Sequence, residues 1–362
     1  MDTIDVQENR TGYKPPVLDT ASRRWVAELL ARADIRIDGA RPWDMRLHDP
    51  VALDRALAQS NLGLGESYMA GAWDCERLDM FFDRLLRAHL DREVKPAHAL
   101  WYALQAKFSN RQSRRRAWQV GQAHYDLGND FYAAMLDPRM TYSCGWWQGG
   151  ARDLTQAQED KLELVCRKLD LRPGMRVLDI GCGWGSFMGY AAERYGVRCI
   201  GVTVSKEQAA YARERYAGLP LEFRLEDYRD LDAAALGGPV ERVVSIGMFE
   251  HVGRRNHRTF MQVAHRCLAD DGLFLLHTIG KNRRNTTLDP WTDRYIFPNG
   301  DLPSLGQIGD ALDGLFVAED VHDFGADYDP TLMAWHANFE AAWPRFADAL
   351  GECRLQWYEA KL

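Results

Sequence analysis

A glycine-rich segment near the middle of the chain has residue types that suit the binding of a nucleotide-like ligand. It runs from Asp179 to Gly185, between a predicted buried strand and a predicted helix. Its glycines, Gly181, Gly183 and Gly185, allow the backbone to turn sharply and to approach a ligand. The N-terminus of the following helix offers unpaired N–H groups to the same ligand. In this context, the segment predicts a site for a nucleotide-like molecule.

The spacing of these glycines helps to tell a dinucleotide-binding site from a site for another nucleotide-like ligand. A dinucleotide site favours G-x-G-x-x-G and an Asp or Glu about 20 residues further on, at the end of the second strand. Here the spacing is G-x-G-x-G, and the second strand ends in Val202-Thr203-Val204-Ser205, which contains no acid. NAD is therefore the less favoured ligand.

Ionisable side chains follow two later strands of the same predicted sheet. Glu250 and His251 come after the fourth strand, and His277 lies near the end of the fifth. Because ligands bind outside the carboxyl ends of parallel strands, Glu250 and His277 are candidate catalytic residues. The structural alternatives are a surface acid for Glu250 and a satisfied core histidine for His277. We interpret His251 as a helix-start residue without a catalytic role.

The elements that must position these residues alternate between strand and helix after Leu171. Such alternation predicts an α/β fold, with a parallel sheet covered by helices on both faces. Predicted helices span Ser186–Tyr195 and Asn256–Leu268, and another is capped by Ser205. The predicted strands are Arg176–Ile180, Arg198–Val204, Leu221–Leu225, Glu241–Met248 and Gly272–Ile279.

The first third of the chain has a mainly helical pattern. Asp74 is a possible cap for a helix whose apolar stripe runs from Leu78 to Leu90, and a second stripe runs from Leu100 to Phe108. Packing in a core is the favoured interpretation of both stripes, and membrane contact is the alternative.

A basic run from Lys107 to Arg116 separates these helices from the strands. Five of its ten residues are Lys or Arg. It is either a solvated linker or a patch that meets anionic lipid. We place the domain boundary here, which gives a smaller helical domain over 1–116 and a second domain over 117–362.

Composition excludes several classes of protein. The 45 basic and 52 acidic residues leave a net charge of −7, which argues against binding to nucleic acid. Seven scattered cysteines without C-x-x-C spacing indicate reduced thiols of a cytoplasmic protein, with neither a disulfide framework nor a structural zinc site. No run of 18 apolar residues occurs, so we expect no membrane-spanning segment.

The glycine-rich segment resembles a known motif. Val177 to Gly185, with Asp179 before the glycines, is similar to the first motif of class I methyltransferases that bind S-adenosylmethionine. Asp227 and Tyr228 stand where that family contacts adenine. The resemblance implies a Rossmann-like class I methyltransferase sheet.

Two further segments resemble a narrower family, the cyclopropane fatty acid synthases. They are His124 to Tyr132 and Thr141 to Trp147, and the likeness covers most of the chain. The chain is identified as a member, which implies transfer of a methylene group from S-adenosylmethionine to a cis double bond of an unsaturated phospholipid acyl chain. The family also implies a homodimer through the N-terminal region. The expected location is cytoplasmic, bound peripherally and reversibly at the inner face of the plasma membrane.

The same resemblance implies roles for particular residues. A bicarbonate ion acts as the base of the family, and its ligands correspond to Cys144, Glu250, His277, the backbone of Ile279, and Tyr328. Cys144 is then an anion ligand or pocket lining, since neither a thiol nucleophile nor a metal is needed. Gln208 replaces the missing acid of the second strand. The implied contacts of S-adenosylmethionine are Tyr142, Ser143, Asp179, Gly181, Gly183, Gly185, Thr203, Gln208, Asp227 and Tyr228.

Other functions stay open beside this one. They are a related methyltransferase that makes methyl-branched chains or methylates a small amine, and an inactive module that binds S-adenosylmethionine or lipid. Relatives continue past the stretch resembling Asp348 to Leu362 with a helix and a strand that inserts antiparallel into the sheet. We therefore expect either that the given chain is trimmed or that Leu315 to Phe324 pairs differently.

Overall fold

The structure is a computed structural model that describes residues 18, 20–90, 128–284 and 289–350. The chain forms two compact units. The described part of the first is 18–90, and the described part of the second is 128–350. The predicted boundary after Arg116 and the basic run both lie outside the described residues, so the two domain ranges stay a prediction.

Four helices and a short ribbon build the described part of the first unit, residues 18–90. Its buried centre includes Trp73 and Phe81, and Leu47 pairs with Trp73 across the ribbon. The two strands were missed, because two residues are too few to show an alternating pattern. The elements are α1 (Ala21–Arg32), β1 (Arg46–Leu47), α2 (Val51–Gln59), α3 (Asn61–Met69), β2 (Trp73–Asp74) and α4 (Leu78–Arg87).

The predicted cap of α4 is wrong. Asp74 belongs to β2, and its carboxylate lies 2.7 Å from Nε2 of His48. The helix begins after Arg77, whose side chain makes no capping hydrogen bond. The apolar stripe of α4 is only partly core, since Phe81 is buried while Phe82 and Leu86 are 38% and 61% exposed. The second stripe, Leu100 to Phe108, lies outside the described residues.

The second unit contains the predicted α/β sheet. Among its described residues, five parallel strands lie in the order β5-β4-β3-β6-β7. The strands are β3 (Arg176–Ile180), β4 (Arg198–Thr203), β5 (Leu221–Leu225), β6 (Val240–Ile246) and β7 (Leu268–His277). The helices are α5 (Asn129–Met135), α6 (Leu154–Lys168), α7 (Ser186–Tyr195), α8 (Lys206–Arg215), α9 (His257–Cys267), α10 (Pro290–Tyr295), α11 (Leu305–Leu312), α12 (Tyr328–Ala342) and α13 (Ala347–Leu350).

Helices cover both faces of this sheet, as predicted. Successive residues of β3 point to opposite faces, so Val177 packs with Phe187 of α7, whereas Leu178 packs with Phe260 of α9. Two separate apolar cores result. The α/β fold with helices on both faces is therefore confirmed.

The predicted element bounds agree closely where the pattern is strongest. β3, α7 and β5 match to the residue, and Ser205 caps α8 by accepting the Gln208 N–H at 3.3 Å. β7 begins four residues earlier than predicted, because it follows α9 without a loop. Leu315 to Phe324 forms no strand in the part of the chain that the structure describes.

Within the described residues, no helix is both long enough and apolar enough to cross a membrane. Six of the cysteines lie in this part, and all six are buried free thiols.

Candidate active site

The glycine-rich loop connects β3 to α7 at the carboxyl end of the sheet. Gly181, Gly183 and Gly185 have φ angles of +90°, +54° and +82°, a region that favours glycine. A Cβ atom on Gly181 would lie 2.5 Å from Cγ of Met248, so a side chain is excluded there. The loop therefore needs its glycines for backbone conformation and for space.

Two polar groups line the strands beside this loop. Asp179, at the end of β3, is buried, and burial raises the pKa of its carboxyl to about 7. At the end of β4, the Thr203 hydroxyl donates to Oε1 of Gln208 at 3.2 Å and accepts the Ser205 N–H at 3.1 Å. Gln208 thus lies beside the end of β4, where a dinucleotide-binding protein would carry an acid.

Asp227 and Tyr228 follow β5 at the same edge of the sheet. The Asp227 carboxylate accepts the backbone N–H of Arg229 at 3.0 Å and its Nη1 at 2.8 Å. The Tyr228 ring packs against Phe260 with centroids 5.2 Å apart. The Arg229 partner was not predicted, because a loop arginine two residues away has no distinguishing pattern.

Aromatic rings surround Tyr142, the residue before Ser143. Tyr132 of α5 and Trp335 of α12 lie 5.4 and 5.2 Å from its ring. Tyr132 also contacts Trp184 of the glycine loop at 5.0 Å. Trp335 was not predicted, since one tryptophan on an amphipathic helix is indistinguishable from core. These rings join the Thr141–Trp147 segment to the glycine loop.

Glu250 makes a direct contact with one other predicted anion ligand. Its Oε1 accepts the Ile279 backbone N–H at 2.7 Å, and burial raises the pKa of its carboxyl. Its Oε2 is buried with no hydrogen-bond partner among the described residues. His277 is half-buried, and the Nδ1 atom of its ring is buried with no hydrogen-bond partner there. Burial lowers the pKa of His277 to about 3, so its ring is neutral near pH 7.

Tyr328 and Cys144 complete this group. Burial raises the pKa of Tyr328, Glu250 and Cys144 raise it further, and a backbone hydrogen bond with Cys144 opposes the shift. Burial raises the pKa of Cys144 to about 11, so the thiol is protonated and a weak nucleophile near pH 7. Electrostatic and hydrogen-bonding contacts thus connect Cys144, Tyr328, Glu250 and Ile279.

Side chains of α12 and the turn before it hold the segment that carries Cys144. The Thr331 hydroxyl accepts the Gly145 N–H at 3.1 Å and the Trp147 indole N–H at 2.9 Å. Asp327 accepts the Trp147 backbone N–H at 2.6 Å. Sequence reasoning missed these residues, because partners about 180 positions apart leave no local signal.

His277 is held by stacking. Its ring lies parallel to that of Phe324, with centroids 5.2 Å apart and an angle of 8° between planes. His251 is half-buried and packs against Phe297, with ring centroids 5.5 Å apart, and burial of its ring lowers its pKa to about 4. No group of three His, Cys, Asp or Glu residues in the described ranges could hold a metal ion.

Comparison with known proteins gives the family. A family model described as "Mycolic acid cyclopropane synthetase" matches residues 112–362. The "Cyclopropane-fatty-acyl-phospholipid synthase" of Escherichia coli (strain K12) is 51% identical over 328 residues, which cover 90% of this chain and 84% of that protein.

Solved structures agree with this match. The cyclopropane synthase MmaA2 from Mycobacterium tuberculosis is 32% identical, with a TM-score of 0.60, and the match covers 68% of this chain and 93% of that one. Mycolic acid cyclopropane synthase CmaA1, complexed with SAH and CTAB, is 34% identical with a TM-score of 0.61, and the match covers 67% and 90% of the two chains. As the motifs predict, this chain belongs to the cyclopropane synthase family.

Proposed function

We propose that the protein transfers a methylene group from S-adenosylmethionine to a cis double bond of an unsaturated phospholipid acyl chain, forming a cyclopropane ring. The observation that carries this proposal is the buried group around Glu250, whose Oε2 and the Nδ1 of His277 have no partners among the described residues. A simple methyl transfer to nitrogen needs no such group. The relative that is 51% identical is named for this reaction.

The reaction requires a dry pocket that holds the alkene and S-adenosylmethionine together. A carbon–carbon double bond is a weak nucleophile, so it must be held against the sulfonium methyl group. Methyl transfer leaves a carbocation that water would capture, so water must be excluded. The rings of Tyr142, Tyr132 and Trp335 provide electron-rich faces, each worth up to about 2 kcal/mol toward a desolvated cation.

Ring closure requires loss of a proton from the transferred carbon. The buried atoms without partners fit a small oxyanion such as bicarbonate, since Tyr328 can donate to it and His277 can donate when its Nδ1 carries the proton. An ionised Glu250 accepts the O–H of such an ion and increases its basicity. Cys144 and the backbone of Ile279 line the same space in this proposal. When bound there, bicarbonate supplies the base that accepts the proton.

S-adenosylmethionine lies along the glycine-rich loop in this proposal. Gly181, Gly183 and Gly185 let the backbone approach the ligand, and Gln208 bonds the ribose through its amide. Asp227 and Tyr228 contact the adenine. Tyr142, Ser143, Asp179 and Thr203 complete the proposed site.

We further propose that the protein docks reversibly, as a homodimer, on the inner face of the plasma membrane from the cytoplasm. An acyl chain must leave a bilayer to enter a dry pocket, so the enzyme must meet the lipid surface. The exposed Phe82 and Leu86, one turn apart on α4, support such contact. The basic run from Lys107 to Arg116 is the proposed partner of anionic headgroups.

The deciding experiment uses the full chain, S-adenosylmethionine and vesicles of unsaturated phospholipid, with fatty acids analysed by mass spectrometry. We expect a product heavier by one CH₂ group that lacks the double bond and needs no reductant. A branched product that requires a reductant would instead identify a related methyltransferase. Binding of S-adenosylmethionine without any product would identify an inactive module.

A further inference from the structure

A lysine ammonium group is buried in the wall of the candidate site. Lys161 of α6 is 1% exposed, and its Nζ lies 2.7 Å from the Ser143 hydroxyl oxygen. That oxygen is its one hydrogen-bond partner in the part of the chain that the structure describes. An ammonium group has three N–H donors, and a buried charge is costly unless it is paired. Lys161 therefore has N–H donors that can bind an anion.

The charge of Lys161 reaches the proposed anion ligands. Its electrostatic effect lowers the pKa of both His277 and Cys144. The negative charge of Asp137 in turn raises the pKa of Lys161. Its carboxylate already accepts the backbone N–H groups of Arg139 and Thr141, at 2.9 and 2.7 Å. The positive charge is thus compensated only in part.

We propose that Lys161 is a positioning residue, which holds Ser143 and supplies the positive charge that attracts a small oxyanion to the space beside Cys144 and His277. This inference rests on the proposed function, in which that anion is bicarbonate. It assigns a role to a helix lysine that is otherwise expected on a surface.

The test measures binding directly, with [¹³C]bicarbonate titrated into the full chain and followed by NMR line broadening. Lys161→Met keeps the length of the side chain and removes its charge. We expect it to weaken bicarbonate binding at least about tenfold, since a nearby buried charge has an effect of this order. Lys168→Met is the matched control, because it makes the same change at the last residue of α6. It should change bicarbonate affinity less than about threefold.

A pH series gives a second readout that a purely structural role would not change. Burial lowers the pKa of Lys161 to about 8, so wild-type affinity for bicarbonate should fall as the pH rises above that value. The pKa values of Cys144 and His277, about 11 and 3, keep both groups neutral across this range. Asp137, Glu250 and Tyr328 are common to wild type and variant. Binding to Lys161→Met should therefore depend less on pH than binding to wild type between about pH 7 and 9.

Each outcome supports or overturns the inference. Equal affinity and an equal pH profile in wild type and Lys161→Met overturn it while leaving the proposed function intact. No binding to wild type rejects the bicarbonate part of the proposed function, and the inference with it. An unchanged unfolding temperature shows that the variant is folded. If Lys161→Met does not fold, Lys161→Gln carries the same comparison.

Discussion

Glu250 is held at one oxygen and open at the other: its Oε1 accepts the Ile279 backbone N–H at 2.7 Å, whereas Oε2 is buried with no partner among the described residues. The hydrogen bond fixes the carboxylate to the end of β7, so its free oxygen has a defined direction. A fixed, buried acceptor with spare capacity suits the binding of a small molecule that carries a proton.

Glu250→Gln tests this relationship. The amide oxygen can still accept the Ile279 N–H, so the geometry is kept while the charge is lost. We expect turnover to fall about 10²-fold or more, as for loss of a group that assists proton transfer, while affinity for S-adenosylmethionine changes little. Product formation and equilibrium dialysis measure the two effects. Glu207→Gln, the same change at an exposed position of α8, should alter neither. Equal losses of turnover and affinity would argue against the proposed role.

Gly181→Ala should abolish binding of S-adenosylmethionine and destabilise the protein by about 1–3 kcal/mol. The new Cβ would lie 2.5 Å from Met248 on a backbone with φ of +90°. Gly174→Ala is the matched control, because its φ is +86° but nothing lies within 4 Å of the new atom. The control should carry the backbone strain and retain binding. Loss of binding in both variants would show that general destabilisation is the cause.

Asp179→Asn should stabilise the protein at high pH. Burial raises the pKa of Asp179 from 3.8 to about 7, so the folded state binds the proton more tightly than the unfolded state. Wild-type stability therefore falls as the pH rises from about 4 to 7, and above pH 7 the full penalty is present. The neutral amide of the variant avoids this penalty, so we expect its free energy of unfolding to exceed that of wild type by about 1–3 kcal/mol at pH 8.

Thermal unfolding at several pH values measures this difference. The gain should shrink toward zero near pH 4, where Asp179 is neutral in both states. A gain that does not depend on pH would show that titration of Asp179 is not its source.

The elements that the sequence predicted correctly are those whose ends are marked by residues close together in the chain. β3, α7 and β5 were predicted to the residue, because a short apolar run, a glycine loop and a turn each mark their ends locally. The ribbon of the first unit and the true start of α4 were not, since pairing between Leu47 and Trp73 depends on packing rather than on spacing. In the site, the family motifs indicated Glu250 and His277, but Thr331 was missed because its partners are distant in sequence.

Replacing Arg114, Arg115 and Arg116 by glutamine should weaken binding to anionic vesicles at low salt by about tenfold or more, since each basic residue near such a surface contributes roughly 1 kcal/mol. These residues lie outside the described part of the chain. Vesicle sedimentation over a series of salt concentrations measures the effect, and binding to uncharged vesicles is the control. An unchanged salt profile would identify the run as a linker.

The hydrogen bonds from Gly145 and Trp147 to Thr331 also bear on how the enzyme matures. The glycine-rich loop has been synthesised once β3 and α7 have been made. The segment that carries Cys144, however, is held by α12, which is synthesised about 180 residues after that segment. During translation, the growing chain would thus contain the glycine-rich loop well before it contained the complete wall around Cys144. Chemistry would begin only when α12 has docked.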